Sequence, residues 1–226
     1  MEKNMNMIVM LTNHDKTVKN AIELFEDCKN IPVEHWGFKN VGLPVVQMKK
    51  LVRNMKNAKK KTFLEVVTYT EEECIKATEL AIECEFDYLM GTLFYQSVYD
   101  LLKDKPIEYM PFCGKVSGSP SVLEGSINEI IAHAKSIKEK NVYGLDLLAY
   151  RYTGDPEELA QKFIKEINLP VIIAGSISSF ERLEKVKELN PWGFTIGSAF
   201  FNKEFVKGGS FVEQIERVVK YLENSK

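Results

Sequence analysis

Two carboxylates interrupt apolar runs: Glu65 in Phe-Leu-Glu-Val-Val and Asp146 in Gly-Leu-Asp-Leu-Leu. Charged side chains are almost never fully buried unless paired. Each therefore either meets a neighbouring Lys or Arg in a buried ion pair, or works as a general acid or base with a raised pKa. Lys39, which follows Trp36-Gly37-Phe38, is a third candidate. Strand alternation puts His35, Gly37 and Lys39 on one face. On an inward face the ammonium could neutralise an enolate or a carboxylate, or form a Schiff base if burial lowered its pKa. At a solvated strand end it would do neither.

Other polar residues invite weaker readings. Lys115 opens an unusually long loop, Cys-Gly-Lys-Val-Ser-Gly-Ser-Pro, that runs to Gly125. Such loops are often lids or binding loops, so Lys115 is either a substrate contact or part of an exposed flexible segment. Arg151, between Tyr150 and Tyr152, could clamp a phosphate or carboxylate in bidentate fashion or pair with an acid on a neighbouring loop. His14 can change charge near neutral pH and so shuttle a proton, while Asp15 reads as a helix cap. Thr68 follows Glu65 on the same segment and joins Tyr150 and Arg151 as a substrate-binding candidate. His133 falls inside a helical pattern and reads as structural. Cys28, Cys74 and Cys84 read as packing residues, as do Trp36 and Trp192. Cys113 is better placed for chemistry but has no base assigned to it.

Gly175-Ser176 and Gly197-Ser198 each end a short apolar run. Glycine lets an anion approach the backbone closely, serine adds a hydroxyl, and the N–H groups opening the next helix attract negative charge. Both pairs read as phosphate-binding turns, against the plainer alternative of two tight turns.

The elements that must position these residues alternate along the whole chain. Short apolar runs with the look of buried parallel strands precede longer runs of helical periodicity. The pairs are Met7–Leu11 with Lys16–Lys29, Val33–Phe38 with Val45–Ala58, Thr62–Val67 with Glu71–Cys84, and Tyr88–Met90 with Ser97–Leu102. They continue as Glu108–Phe112 with Ile127–Lys138, Val142–Ala149 with Pro156–Ile167, Val171–Ala174 with Phe180–Leu189, and Gly193–Ile196 with Phe211–Leu222. Capping-box patterns begin at Thr70, Ser126, Ser178 and Ser210, and Asp155-Pro156 adds a proline at the first helical position. Eight strand–helix units in 226 residues, with no linker-like stretch, predict one (β/α)8 TIM barrel spanning residues 1–226. The runner-up is an open doubly wound sheet. Its Gly-x-Gly-x-x-Gly fingerprint is missing after the first strand, where the chain reads Leu11-Thr-Asn-His-Asp15. In the barrel the polar residues at the C-terminal strand ends share one face, and the two Gly-Ser turns fall where the fold usually holds phosphate.

Composition narrows the function classes. Thirty Lys and Arg against 32 Asp and Glu give a net charge of −2, and the dense basic run Lys56–Lys61 reads as a solvated helix face, which argues against a nucleic-acid partner. No stretch reaches the roughly 18–20 apolar residues of a membrane helix, and the first residues lack the apolar core of a signal peptide. Four cysteines without Cys-x-x-Cys spacing read as reduced thiols of a cytoplasmic protein. No metal-ligand spacing and no cofactor motif occurs, so the expectation is no metal and no cofactor. A homodimer is expected from the fold alone.

The segment Leu169-Pro-Val-Ile-Ile-Ala-Gly-Ser-Ile-Ser178, then Arg182 to Leu189, then Trp192-Gly-Phe-Thr-Ile-Gly-Ser-Ala199, resembles the C-terminal quarter of ribulose-phosphate-binding barrels. That group includes the phosphoribosyl isomerases of histidine and tryptophan biosynthesis, thiamine phosphate synthase and N-acetylmannosamine-6-phosphate epimerase. The resemblance implies that Gly175, Ser176, Gly197 and Ser198 hold a phosphate. The front half departs from each member: strand five offers Cys113 and Lys115 where the histidine-pathway isomerase would have Asp, and strand three lacks the Asp-x-Lys-x-x-Asp of the related decarboxylases. The expected function is an enzyme acting on a small phosphorylated sugar or sugar acid, an isomerase or epimerase that moves a proton through an enolate-like intermediate. Glu65 or Asp146 would move the proton, and Lys39, Lys115 and His14 would assist. The alternatives are a Schiff-base aldolase or lyase using Lys39 or Lys115, and a non-enzymatic barrel that senses a phosphometabolite.

Overall fold

A computed structural model describes residues 5–224. Eight parallel strands alternate with helices: β1 (Asn6–Met10), α1 (Ala21–Cys28), β2 (His35–Lys39), α2 (Val45–Asn57), β3 (Lys61–Glu65), α3 (Glu71–Glu83), β4 (Tyr88–Met90) and α4 (Gln96–Leu102). The second half continues with β5 (Glu108–Met110), α5 (Ile127–Lys138), β6 (Leu145–Leu147), α6 (Pro156–Glu166), β7 (Val171–Ile173), α7 (Phe180–Leu189), β8 (Gly193–Ile196) and α8 (Phe211–Glu223). The strand order is β6-β7-β8-β1-β2-β3-β4-β5, each paired in parallel with its neighbours. The ring is completed between β5 and β6 by a parallel bridge from Phe112 to Asp146 and by the Asp146 N–H donating to the Pro111 carbonyl at 3.0 Å. This join is thin because Pro111 accepts that bond but has no N–H to return. The single-domain α/β TIM barrel is therefore the fold, and the open sheet is excluded.

Helix starts follow the caps. Ser126 and Ser210 form full capping boxes with Glu129 and Glu213, Thr70 accepts from the Glu73 N–H, and Asp155 accepts from Glu157 and Glu158 ahead of Pro156. The expected cap at Ser178 is displaced by one residue: Ser179 accepts from the Arg182 N–H, and Ser178 instead lines the cavity described below.

Two segments differ from expectation. The first helix begins at Ala21, not Lys16, because Thr12–Asn13 and Lys16–Thr17 pair as a tiny antiparallel ribbon. Asp15 therefore sits in a turn and caps nothing. The stretch expected as a loop from Cys113 to Gly125 contains a second ribbon, Lys115–Ser117 against Val122–Glu124. That ribbon buries Val116 and Leu123 and is tied to the β6 side by the Thr153 N–H donating to the Leu123 carbonyl.

The N-terminal half of the lumen is filled by rings. Phe63 stacks on Tyr88 with centroids 4.2 Å apart, and Trp192 lies within 5.7–6.3 Å of His35, Phe63, Tyr88 and Tyr143. Above this plug Gly37 leaves room for its neighbours: a Cβ there would stand 2.6 Å from Met10 Sδ and 3.0 Å from Phe63 Cβ. Aromatic packing thus closes one end of the barrel and leaves the polar strand ends to shape the other.

Candidate active site

Lys39 and Glu65 are the last residues of β2 and β3 and are direct register partners. Their side chains point into the same mouth, with Lys39 Nζ 3.7 Å from Glu65 Oε1. The Lys39 backbone is fixed from outside the strand. Its N–H donates to Thr17 Oγ1 at 2.9 Å, and the Thr17 hydroxyl donates to its carbonyl at 2.8 Å. The ribbon that supplies Thr17 also supplies Asp15. His14 and Asp15 take left-handed φ values of 47° and 58°, which suit the tight turn. The turn swings Asp15 over the lumen, where its Oδ1 accepts from Lys39 Nζ at 2.6 Å and lies 3.5 Å from Arg151 Nη1. Lys39 is 4% exposed there. Burial works to raise the Asp15 carboxyl, but the Lys39 ammonium and the Arg151 guanidinium outweigh it and hold its pKa below the ordinary Asp value.

Asp146 stands differently. It is 1% exposed, and neither carboxylate oxygen has a hydrogen-bond partner among the described residues. Burial first, and then the negative charge of Glu65, push its pKa well above the ordinary value, while Lys39 and Arg151 pull weakly the other way. The site thus holds a buried carboxyl whose charged form is disfavoured, beside carboxylates that are paired with cations. Cys113 is also fully buried, and burial with the nearby Asp146 charge raises its thiol pKa, so it is no ready nucleophile.

A cavity of about 270 Å³ opens at these groups and is lined by Lys39, Glu65, Asp15 and Arg151. Gly175-Ser176 and Gly197-Ser198 line it from the ends of β7 and β8, as do Thr12, Thr195, Asn202 and Glu204. Gly175 takes φ +88°, and the Arg151 stem lies directly against it. Gly197 approaches the Thr12 carbonyl so closely that a Cβ would stand 3.0 Å away. Arg182, from the first turn of α7, donates to the Ser176 carbonyl and so braces the first turn.

The structure thus brings Glu65, Lys39, Arg151 and both Gly-Ser pairs to one cavity, with Asp146 buried beside them. It leaves others out. The Lys115 side chain is 78% exposed on its ribbon, 4.0 Å from Glu124, because alternation turns Val116 inward and Lys115 outward. His14 is exposed at the tip of the first ribbon. Tyr150 lies under the Arg182 guanidinium at 5.1 Å, and Thr68 is half-buried; neither lines the cavity. The role expected for His133 is met structurally, since its Nδ1 accepts from the Gly114 N–H at 2.9 Å. The important omission in the sequence reading is Asp15. Asn13-His14-Asp15 between two β-branched threonines is a turn signal and was the one local hint.

Fold and cavity define a (β/α)8 barrel whose polar mouth is lined by two Gly-Ser turns. No protein-family model matches the chain, and no curated protein matches it in sequence. Solved structures do match in fold. The 3-hexulose-6-phosphate synthase from Salmonella typhimurium is similar at TM-score 0.69 and 14% identity, over 98% of this chain and 100% of that one. The N-(5'-phosphoribosyl)anthranilate isomerase from Pyrococcus furiosus is similar at TM-score 0.66 and 15% identity, over 98% and 100%. A glycerol uptake operon antiterminator regulatory protein from Listeria monocytogenes is similar at TM-score 0.59 and 18% identity, over 86% and 92%.

Proposed function

We propose that the chain is an enzyme that binds a small phosphorylated sugar or sugar acid and moves a proton next to its carbonyl group. One observation carries this reading: a single cavity is lined both by two Gly-Ser turns and by a Lys–carboxylate cluster. The Gly175-Ser176 and Gly197-Ser198 turns offer backbone N–H groups and hydroxyls to a phosphate. Binding energy spent there, away from the reacting carbon, fixes the orientation of the rest of the molecule.

Glu65 is the base, because it reaches the cavity while Asp146 does not. Its carboxylate takes the proton from the carbon beside the carbonyl, and the C–H electron pair becomes the enolate. The Lys39 ammonium balances the charge that develops on oxygen. Glu65, now carrying that proton, returns it during reprotonation, and Asp146 buried beside it acts only through Glu65, by its charge. Delivery from Glu65 to the former carbonyl carbon relocates the carbonyl; inversion of the first carbon takes its proton from water on the opposite face, and Glu65 then releases its own to solvent. Lys115 and His14 have no role in this reading.

The test is a thermal-shift series with inorganic phosphate and a panel of aldose, ketose and amino-sugar phosphates. A ligand that binds only the folded chain stabilises it by about 2.7 kcal/mol at one hundred times its Kd. The expected result is a rise in Tm that disappears in Ser198→Asp, which puts a carboxylate into the phosphate cradle. Turnover assays on the stabilising compounds then decide between enzyme and sensor. Binding without turnover of any of them would favour a phosphometabolite-sensing barrel.

A further inference from the structure

Asp15 serves two cations unequally. It is in short contact with Lys39, at 2.6 Å, and in long contact with Arg151, at 3.5 Å, through the same oxygen. Lys39 is nearly buried, whereas the Arg151 side chain keeps about a quarter of its surface in solvent. Arg151 also begins from the right place to move. Its stem lies against Gly175, where a Cβ would stand 2.8 Å from Arg151 Cγ, so its base is already beside the first Gly-Ser turn. The backbone of the turn carrying it is anchored, since the neighbouring Thr153 N–H donates to Leu123 of the second ribbon.

We propose that Asp15 is a positioning residue that holds Arg151 until a dianion arrives and releases it to that dianion at the Gly175-Ser176 turn, while keeping Lys39 at the reacting end. A guanidinium prefers a bidentate oxyanion to a single long carboxylate contact. A phosphate at that turn offers such a geometry, and the Lys39 contact compensates Asp15 after the exchange. The device makes ligand binding a competition between an internal carboxylate and an external anion for one arginine. It selects a doubly charged group over a singly charged one, because only the former outweighs the internal competitor. This inference rests on the anion cradle proposed above.

The experiment is calorimetric titration of inorganic phosphate into wild type, Asp15→Asn, Arg151→Ala and the double variant, each first shown to be folded by its melting curve. Removing the competitor should tighten phosphate binding by about threefold to fivefold, the size of one partly exposed ion pair. That gain should vanish in the Arg151→Ala background. A gain that survives there belongs to Lys39 and overturns the proposal, as does an unchanged or weaker affinity in Asp15→Asn. No binding by any of the four proteins overturns the cradle and this inference together, whereas wild-type binding without the coupling overturns this inference alone. A second measurement needs no Asp15 variant: the Arg151 Nε–H signal of wild type, assigned by its loss in Arg151→Ala, should shift on saturation with phosphate. An unmoved signal at saturation overturns the hand-off.

Discussion

Gly175 and Arg151 are in contact across the gap between the β7 and β6 strand ends, so close that a single methyl group on the glycine would stand 2.8 Å from Arg151 Cγ and 3.3 Å from its backbone nitrogen. The glycine also holds φ at +88°, where a side chain is strained. Gly175→Ala should therefore cost about 1–3 kcal/mol and weaken phosphate binding as well. Urea denaturation together with the phosphate titration checks both. A variant with wild-type stability and affinity would show that the turn is not tuned to the arginine.

Asp146 separates activity from stability. The native carboxyl holds its proton more tightly than the unfolded chain does. Wild-type stability should therefore be fully present below the unfolded value, about 3.9, and decline as pH climbs above it. Asp146→Asn has no such titration. Its stability relative to wild type should improve from pH 5 to pH 8 in urea denaturation, while turnover falls sharply and phosphate affinity stays nearly intact. Unchanged turnover would remove Asp146 from the mechanism.

Asp15 has the opposite sign. Its folded pKa lies below the ordinary Asp value, so the stability it confers is present above the unfolded value of about 3.9 and is lost as pH falls through the folded one. Acid unfolding of Asp15→Asn should lack that component. A denaturation series below pH 5 that superimposes on wild type would mean the carboxylate is not held by its two cations in solution.

Lys39 is fixed between two carboxylates, which suits a stationary cation better than a nucleophilic amine. Borohydride added during incubation with keto sugar phosphates should leave no mass increment on Lys39. A stable adduct there would favour the aldolase reading instead. Lys39→Met should lower stability by about 3 kcal/mol, since it strands Glu65 and leaves Asp15 only its long Arg151 contact in a largely buried site; equal stability by chemical denaturation would contradict the ion-pair geometry.

The parts of this protein legible in the sequence are those that local rules decide. Ile127–Lys138 and Phe180–Leu189 run between the residues expected, because a capping serine opens each helix and the apolar period ends where it should. Gly193–Ile196 and Tyr88–Met90 likewise match, being short apolar runs between turn residues. Alternation alone puts His35, Gly37 and Lys39 on one face; that Lys39 then stands beside Glu65 is decided by the register of the two strands. The failures lie where pairing at a distance decides. Asp15 meets a lysine 24 residues away and an arginine 136 residues away, and no spacing rule reports that. The first helix starts later than the cap-type residue Asp15 suggests, because Thr12 and Thr17 draw the segment into a ribbon. Lys115 heads a glycine- and serine-rich stretch, but the burial of Val116 and Leu123 folds that stretch onto itself and turns the lysine to solvent.

The ring-filled floor beneath Gly37 makes the lumen a blind well. Reactant and product must then use one doorway, past Lys39 and Arg151, and neither can pass the other. Whatever leaves this protein should compete directly with whatever arrives, so a rising product concentration should raise the apparent KM and leave the maximal rate untouched.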